Sequence, residues 1–288
     1  MGQYGAFAEM KAAARRTWLT GRGGASALAA LLLPVLAGAG LAADADCPEA
    51  PPLSKDAAVV DVLDGATVRL SDGRTVRLAG LMPPLAPLDL APGLPWPQGA
   101  AARQALLDLV TDRAVRLADI ADTPDRHGRL AARLYGPDGA WIGGALVGAG
   151  HLIVAPEGGR ACRERLLSLE ASARAAGRGV WAAPSAYFAR AGDGELRRRA
   201  GRYMVVEGRI RSVGAGRRLT FLNFGDDWRK DFTVLLYSSG RGGSATADRK
   251  SLSGARIRVR GWLESRGGAL IRVNSPDGIE RLDPASGS

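Results

Sequence analysis

The sequence predicts an α+β protein that is mainly β, with two compact units behind a removable N-terminal segment. Three observations support this prediction. Gly is frequent, at 39 of 288 residues, and aromatic residues make up only 6%, which favours turns and short strands over long helices. The hydrophobic share of 46% and the charged share of 24% are ordinary for globular proteins and exclude a disordered, collagen-like or coiled-coil chain. The length suffices for two domains of ordinary size, each with its own core.

Residues 1–43 have the order of a secretory signal peptide, in which basic residues precede an apolar run and small residues follow it. The run passes through Leu31–Leu33 and ends near Ala43, while Pro34 and Gly38 make it short and weak for a membrane-spanning helix. We therefore expect an exported protein, periplasmic or secreted, without stable membrane insertion after signal cleavage; a retained anchor is the alternative. Cleavage would remove four basic residues and one acidic residue and lower the net charge from +10 to +7. The basic excess therefore belongs to the folded part and favours polyanionic partners.

The chain contains two cysteines and two histidines, which are too few for a Cys/His zinc cluster. In an oxidising compartment an isolated pair of cysteines is a disulfide candidate. A Cys47–Cys162 bridge would close a loop of 114 residues and would stabilise the fold by roughly 4–5 kcal/mol in the chain-entropy model. Two unrelated buried thiols are the alternative.

The first unit is predicted over residues 55–183 as a five-stranded barrel with about three helices. Apolar residues alternate in its strands, and the Asp-Gly pair at 72–73 between two alternating segments is a strong hairpin signal. Leu166, Leu169 and Ala173 recur at helical spacing in the last helix. The predicted strands are Val59–Leu63, Thr67–Leu70, Thr75–Leu81, Ala114–Ile120 and Leu130–Tyr135. The predicted helices are Gln98–Val110, Gly143–Gly150 and Arg160–Ala176.

A linker over residues 184–201 leads to a second unit over residues 202–283, which is almost entirely strand. The predicted strands of this unit are Tyr203–Val213, Arg218–Phe224, Phe232–Tyr237, Arg256–Leu263 and Ala269–Val273. Five such strands, the first of them long and containing glycine, predict a second, smaller OB-like β-barrel.

One strand of the second unit, Arg256–Leu263, alternates strictly between apolar and other residues. Ile257, Val259 and Leu263 are expected to face inward. The outward positions are held by Arg256, Arg258, Arg260 and Trp262. Cations beside an aromatic ring suit single-stranded nucleic acid, because its phosphates need positive charge and its bases stack. A solvated, Arg-rich sheet face is an equally good interpretation.

Five motifs follow one another along the first unit. They are Asp64–Leu70, Arg77–Leu81, Asp125–Arg129, Ala145–Gly150 and Glu170–Trp181. In this order they resemble the thermonuclease family, which has the staphylococcal-nuclease-like fold, and the resemblance covers Val59 to Trp181. It implies an OB barrel with helices that hydrolyses DNA or RNA phosphodiesters with a bound calcium ion. With its export signal and strand-rich C-terminal module, the chain also looks like a group of bacterial thermonuclease-family proteins of undefined role.

The resemblance implies a site with two kinds of residue. Carboxylates hold a hard divalent cation and position the attacking water, while arginines neutralise charge on the phosphoryl oxygens. The arginines are retained: Arg77 falls on the family's strand arginine, and Arg129 falls on the arginine that closes its D-[KR]-[YH]-G-R motif. Arg126 and His127 add hydrogen-bond donors in the same loop.

The acids of the family are not retained. Ala66 stands at the second aspartate of D-G-D-T, and Met82 and Leu85 stand at the aspartate and the glutamate of V-D-[AT]-P-E. None of these three side chains can ligate calcium or accept a proton. Asp64 is retained but is expected to face away, which leaves Asp89 in the following Pro-rich loop as a candidate replacement acid. No metal or cofactor is therefore expected, and calcium only if a rearranged site is active.

These residues predict a degenerate nuclease, a pseudoenzyme that binds nucleic acid or another polyanion through its retained arginines. One alternative is an active phosphodiesterase, a DNA or RNA nuclease with a rearranged site. The other is an interaction protein of the cell envelope, in which both barrels bind protein or glycan.

Overall fold

The computed structural model describes residues 54–156, 162–182, 186–216, 219–237, 251–274 and 278–282. The predicted signal segment and Cys47 lie outside these ranges. The described chain is mainly β with three α-helices, which confirms the predicted α+β class. None of the helices in these ranges is long and apolar enough to span a membrane.

The first lobe consists of the described residues between 54 and 182. Its strands are β1 (Ala57–Asp64), β2 (Thr67–Leu70), β3 (Thr75–Leu78), β4 (Leu81–Met82), β5 (Ala114–Ala118), β6 (Arg129–Tyr135) and β7 (Ile153–Val154). Its helices are α1 (Pro97–Val110), α2 (Ile142–Gly148) and α3 (Arg163–Ala175), and a 3₁₀ helix follows over Gly179–Trp181.

Five strands of the first lobe close into a barrel in the order β1-β2-β3-β6-β5. β3 and β6 run parallel, and the other neighbouring strands are antiparallel. Alternate residues point inward and fill the barrel with apolar side chains, such as Val68 on β2, Leu78 on β3 and Leu134 on β6. Leu106 of α1 and Leu146 of α2 belong to the same core, so the helices that cover the barrel share one hydrophobic centre with it.

The strand predicted over residues 75–81 is interrupted at Gly80. The φ angle of Gly80 is +69°, a conformation that residues with a Cβ rarely adopt. After this turn Leu81 and Met82 form the separate strand β4, which pairs with β7 and places Met82 opposite Ile153. The sequence pattern did not predict this second pairing, because two-residue strands carry no periodicity.

The second lobe consists of the described residues between 186 and 282. Its strands are β8 (Phe188–Arg190), β9 (Tyr203–Arg209), β10 (Ser212–Ala215), β11 (Leu219–Asn223), β12 (Thr233–Tyr237), β13 (Arg256–Arg266), β14 (Gly268–Val273) and β15 (Ile279–Arg281). They pair in the order β10-β11-β12-β14-β13-β9-β8, with β15 beside β13. The inward side chains of this sheet, among them Leu222, Val234 and Ile257, form a second core. Closure of this lobe into a barrel stays a prediction.

The predicted linker over residues 184–201 contributes to the second lobe. Strand β8 lies within it and pairs in parallel with β9, and a 3₁₀ helix covers Leu196–Arg199. Ala189 of β8 and Leu196 are buried in the second core. The described part of this segment therefore packs as an element of the lobe.

The two lobes share a third apolar cluster. It contains Ile153, Ala173, Val180 and Trp181 of the first lobe and Tyr187, Tyr203 and Val205 of the second. All described residues belong to one compact body. Met82 and Trp96 pack against this cluster, so the loop between β4 and α1 begins and ends at the contact between the lobes.

Candidate anion-binding site

Arg77 and Arg129 lie on the outer face of the barrel, on neighbouring parallel strands. Arg77 of β3 pairs with Ala131 of β6, and Arg129 pairs with Thr75, two residues earlier. The neighbours of Arg77 along β3 are buried in the barrel core, so its own side chain points outward. A strand spacing of about 4.8 Å and a rise of about 3.3 Å per residue place the two Cα atoms about 8 Å apart. One phosphate or two successive phosphates could therefore contact both guanidinium groups.

Of the two arginines, Arg77 is the one whose positive charge is not neutralised by a neighbouring carboxylate of the described residues. Within the described residues, its guanidinium has no hydrogen-bond or ion-pair partner. Its cross-strand neighbours are Thr67 on β2 and Ala131 on β6, which are both uncharged. An outward arginine between uncharged neighbours is available to an external anion.

Arg129 is held by Asp125 at the start of the same loop. The Nε and Nη2 atoms of Arg129 lie 2.9 Å from Oδ2 of Asp125, and the backbone N–H groups of Arg129 and His127 donate to Oδ1. Although burial would raise it, these hydrogen bonds and the guanidinium charge lower the pKa of Asp125 to about 2. Asp125 therefore neutralises much of the charge of Arg129 within the loop itself. The Nη1 atom of Arg129 still lacks a partner among the described residues and can reach a ligand.

Arg126 and His127 occupy the exposed tip of this loop. The Nε atom of Arg126 donates to Nε2 of His127 at 3.1 Å, so the imidazole acts as an acceptor toward its neighbour. Both side chains stand beside Arg129 in sequence, and the turn held by Asp125 keeps all three on one loop. The structure thus brings these three sequence-predicted residues together, with Arg77 on the adjacent strand.

Ala66 is fully buried and belongs to the barrel core. It lies in the turn between β1 and β2, where Oδ1 of Asp64 accepts a hydrogen bond from its backbone N–H at 2.7 Å. The retained carboxylate of Asp64 therefore stabilises the turn. Helix α1 packs directly on this turn, because a Cβ added to Gly65 would lie 2.6 Å from the Cβ of Ala102. Position 66 is thus enclosed.

Met82 and the loop that follows it contact the second lobe. Met82 packs against the third apolar cluster. At the other end of the loop, Nε1 of Trp96 donates to the carbonyl oxygen of Pro84 at 3.0 Å and to the hydroxyl of Tyr187 at 2.8 Å. Asp89, the candidate replacement acid, lies 3.5 Å from Nη2 of Arg202 in the second lobe. The loop that follows Met82 is therefore fixed against the second lobe.

These positions do not fit a calcium ion. Calcium takes six to eight oxygen ligands, whereas an enclosed methyl group and a thioether in an apolar cluster offer none. In the described ranges, no three His, Cys, Asp or Glu side chains gather where they could hold a metal ion. We therefore derive no reaction step through a metal at this site.

The outward residues of β13 have a different environment from the one predicted. Arg258 and Arg260 do leave the sheet on the face opposite Ile257 and Val259, but both are buried, and Arg260 is only 1% exposed. Arg258 lies between Glu207 on β9 and Glu280 on β15, at 2.9 and 2.6 Å. The predicted exposure of Arg258 and Arg260 is therefore corrected: carboxylates and the first lobe cover this part of the face.

Arg256 and Trp262 lie toward opposite ends of β13 and remain accessible. Arg256 pairs with Glu207, and hydrogen bonds from Arg258 and Arg256 lower the pKa of Glu207 against the opposing effect of burial. Trp262 is 43% exposed, and its ring stands edge-on to Tyr203 with centroids 5.9 Å apart. Of the four outward residues predicted to form a face on this strand, Arg256 and Trp262 are thus exposed, and they are separated by the buried Arg258 and Arg260.

A cleft of about 400 Å³ on the second lobe was missed by the sequence reasoning. Phe221 and Trp228 line it. The alternation in Leu219–Asn223 could have indicated the site, since Leu222 faces the core and Phe221 must then face outward.

Cys162 is fully buried at the start of α3, where Nη1 of Arg133 lies 2.9 Å from its Sγ. Its predicted partner Cys47 lies outside the described residues, so the disulfide stays a prediction. His151 is half-buried, and burial lowers its pKa, as expected for a packing residue.

Comparison with known proteins adds no relative: no protein-family model matches the chain, and no curated protein matches it.

Proposed function

We propose that this protein is an exported, nuclease-derived binding module that holds the phosphates of nucleic acid, or of another polyanion, through Arg77 and Arg129 without a metal. In this proposal the first lobe is a thermonuclease-like OB barrel. The strand order β1-β2-β3-β6-β5 with one parallel pair supports that assignment, because it is the order expected of a five-stranded Greek-key barrel.

The observation that carries the proposal is the outward, unneutralised guanidinium of Arg77 beside Arg129 on the adjacent strand. Charge-assisted hydrogen bonds from guanidinium to phosphate are among the strong ones, and each phosphate bound also releases counterions. The net charge of +7 without the leader adds long-range attraction for a polyanion.

Hydrolysis has less support than binding. A phosphodiesterase of this kind requires a carboxylate that acts as a general base on the attacking water, and a cation to stabilise the leaving oxygen. The corresponding positions are an enclosed Ala66, a Met82 packed between the lobes and Leu85 in the loop held to the second lobe. The retained arginines alone can bind a phosphate but cannot generate the nucleophile.

The test is binding of fluorescently labelled single-stranded DNA and RNA in EDTA, measured by anisotropy between 50 and 200 mM salt. We expect affinity to fall steeply with salt, and Arg77→Ala to weaken binding by about tenfold. Arg113→Ala is the matched control, because Arg113 is an exposed arginine of the same lobe outside the site. A flat salt response, or equal affinities of the two variants, would contradict the proposal and favour an envelope interaction protein.

Hydrolysis is tested in parallel with calcium, magnesium, manganese or EDTA. We expect no metal-dependent cleavage above background. Metal-dependent cleavage that Arg129→Ala abolishes would instead establish a working phosphodiesterase with a rearranged site.

A further inference from the structure

The outer face of strands β10, β11, β12 and β14 is apolar where a solvated sheet would be polar. Residues that alternate with the second core should face water on this side. Instead, Phe221 of β11 is 37% exposed, and Trp228 from the loop between β11 and β12 is 57% exposed. Leu235 and Leu270 continue the same surface on β12 and β14. Exposed aromatic groups in one place indicate a binding surface.

These side chains line the cleft of about 400 Å³. The floor is sheet: Phe221 pairs with Leu235 on one side and with Gly214 on the other. The absence of a side chain at Gly214 leaves the Phe221 ring uncovered from that direction. The volume lies within the usual range for small-ligand sites. It suits a planar ring system better than an extended chain.

The polar groups of the cleft favour an anion. Among the described residues that line the cleft, Arg266 is the charged one, and its side chain is 73% exposed. Among the described residues, the carboxylate that pairs with Arg266 is Glu264, which lies 4.0 Å from Arg266 but only 2.7 Å from Arg272 and is therefore committed mainly to Arg272. The guanidinium of Arg229 lies 4.7 Å from the centroid of the Trp228 ring and adds a second cation at the rim.

Two acidic residues of the adjoining loop use their carboxylates in hydrogen bonds to the loop backbone. Oδ1 of Asp227 accepts a hydrogen bond from the backbone N–H of Arg229, and Oδ2 of Asp231 accepts one from the N–H of Asp227. These carboxylates shape the loop that carries Trp228. Asn223 and Thr233 supply neutral hydrogen-bonding groups on the floor of the cleft.

We propose that this cleft binds a nucleobase together with its phosphate, as a free nucleotide or as one residue of a single strand. The base would stack on the exposed rings of Phe221 and Trp228, and Arg266 would contact the phosphate. An apolar floor with aromatic rings, cations at the rim and no carboxylate among the described lining residues complements an aromatic anion. This site is separate from the arginine pair of the first lobe and adds recognition of bases to recognition of charge.

The experiment compares three probes at fixed salt: a labelled single-stranded oligonucleotide, an abasic oligonucleotide of equal length and charge, and a nucleoside monophosphate. Each is titrated against the full chain and against Phe221→Ala, Trp228→Ala and Arg266→Ala. Val60→Ala, which shortens an exposed side chain on β1, is the matched control for the apolar truncations. Circular dichroism establishes that each variant is folded.

We expect the abasic probe to bind about tenfold more weakly than the normal strand. Each aromatic variant should lower the affinity for the normal strand to a similar level and leave the affinity for the abasic probe unchanged. If the variants also bind the mononucleotide more weakly, the cleft binds free nucleotides as well as single strands. If they bind only the strand more weakly, the cleft binds nucleotides within a strand.

Equal binding of the normal and abasic probes, with no effect of Phe221→Ala or Trp228→Ala, would overturn the inference and leave the cleft to a protein partner. Failure of the first-lobe proposal gives a different result: Arg77→Ala then leaves the affinity unchanged, while the aromatic variants still weaken binding of the normal strand and not of the abasic strand.

Discussion

Arg260 of β13 and Glu170 of α3 form a fully buried ion pair that joins the two lobes, with Nη1 of Arg260 2.8 Å from Oε2 of Glu170. The same carboxylate oxygen accepts the backbone N–H of Val154 at 2.9 Å. Nη2 of Arg260 reaches Glu280 on β15 at 2.8 Å. A buried charge must be matched by partners, and here the partners come from both lobes. The network therefore fixes how the second lobe sits against α3.

Breaking this pair should destabilise the whole chain. Replacing either partner removes a close ion pair of the other: among the described residues, Glu170 then keeps only Arg174 as an ion-pair partner, at 3.4 Å, and Arg260 keeps only Glu280. We therefore expect Arg260→Met and Glu170→Gln each to lower the free energy of unfolding by about 3 kcal/mol. Urea unfolding followed by circular dichroism measures the change. Arg198→Ala is the control, because the Arg198–Glu195 pair is exposed and should contribute less than about 1 kcal/mol.

The double variant Arg260→Met with Glu170→Met distinguishes charge matching from packing. Removing both charges should recover part of the loss, since neither charge is then left alone. A double variant whose loss equals the sum of the single losses would show that the two residues contribute independently.

The sequence predicted elements whose signals are local. The hairpin at the Asp-Gly pair, helix α1 and the strands of the barrel follow from alternation, turn chemistry and helical spacing. β4 and β8 were not predicted as separate strands, because they are two or three residues long and depend on partners distant in the sequence. The core positions within β13 were predicted correctly, since Ile257 and Val259 are buried.

The burial of Arg260 and the ion pair of Arg129 depend on tertiary contacts that the sequence pattern does not reveal. Alternation places Arg260 on the outer face of its sheet, but only the fold shows that Glu170, 90 positions earlier, covers that face. Similarly, the spacing of the D-R-H-G-R segment places Arg129 at the site but does not show that Asp125 holds it. The motifs singled out Arg77 and Arg129, but their position on neighbouring strands and their charge balance required the structure.

Introducing an aspartate at position 66 should destabilise the protein. Ala66 has no exposed surface, so Ala66→Asp would bury a carboxylate without a partner and lower the free energy of unfolding by about 3 kcal/mol. Urea unfolding with and without calcium measures the effect. Ala101→Asp, at an exposed position on α1, is the control and should change stability little. Calcium-dependent recovery of stability would reveal a latent metal site and contradict the expectation.

Met82 should matter for the contact between the lobes. Met82→Asp removes an apolar side chain from the third apolar cluster and adds a charge, so we expect a loss of about 2–5 kcal/mol and faster proteolysis between the lobes. Met82→Leu keeps the volume and should cost less than about 1.5 kcal/mol. Equal proteolysis of both variants would show that Met82 does not contribute to the contact.

The predicted Cys47–Cys162 bridge has a direct chemical test. If it forms, protein purified from the periplasm and unfolded without reductant should take up no thiol label, and reduction should expose two thiols. Cys47→Ser should lower the free energy of unfolding by about 2–5 kcal/mol, and reductant should have no further effect on this variant. Labelling of both cysteines before reduction would remove the bridge and leave Cys162 as a buried thiol.

Asp125 should make the loop of the candidate site sensitive to acid. Its pKa is lowered to about 2 in the folded protein, from an ordinary value of 3.8, so the charged carboxylate stabilises the fold above about pH 4. That contribution should decrease as the pH falls below about 4 and be lost below about 2, where the folded-state carboxylate becomes protonated. We expect Asp125→Asn to cost on the order of 1 kcal/mol at pH 6, because the site is partly exposed, and clearly less at pH 2. Urea unfolding across this range measures the difference, and a gap between the two proteins that does not depend on pH would show that Asp125 stabilises the loop by shape alone.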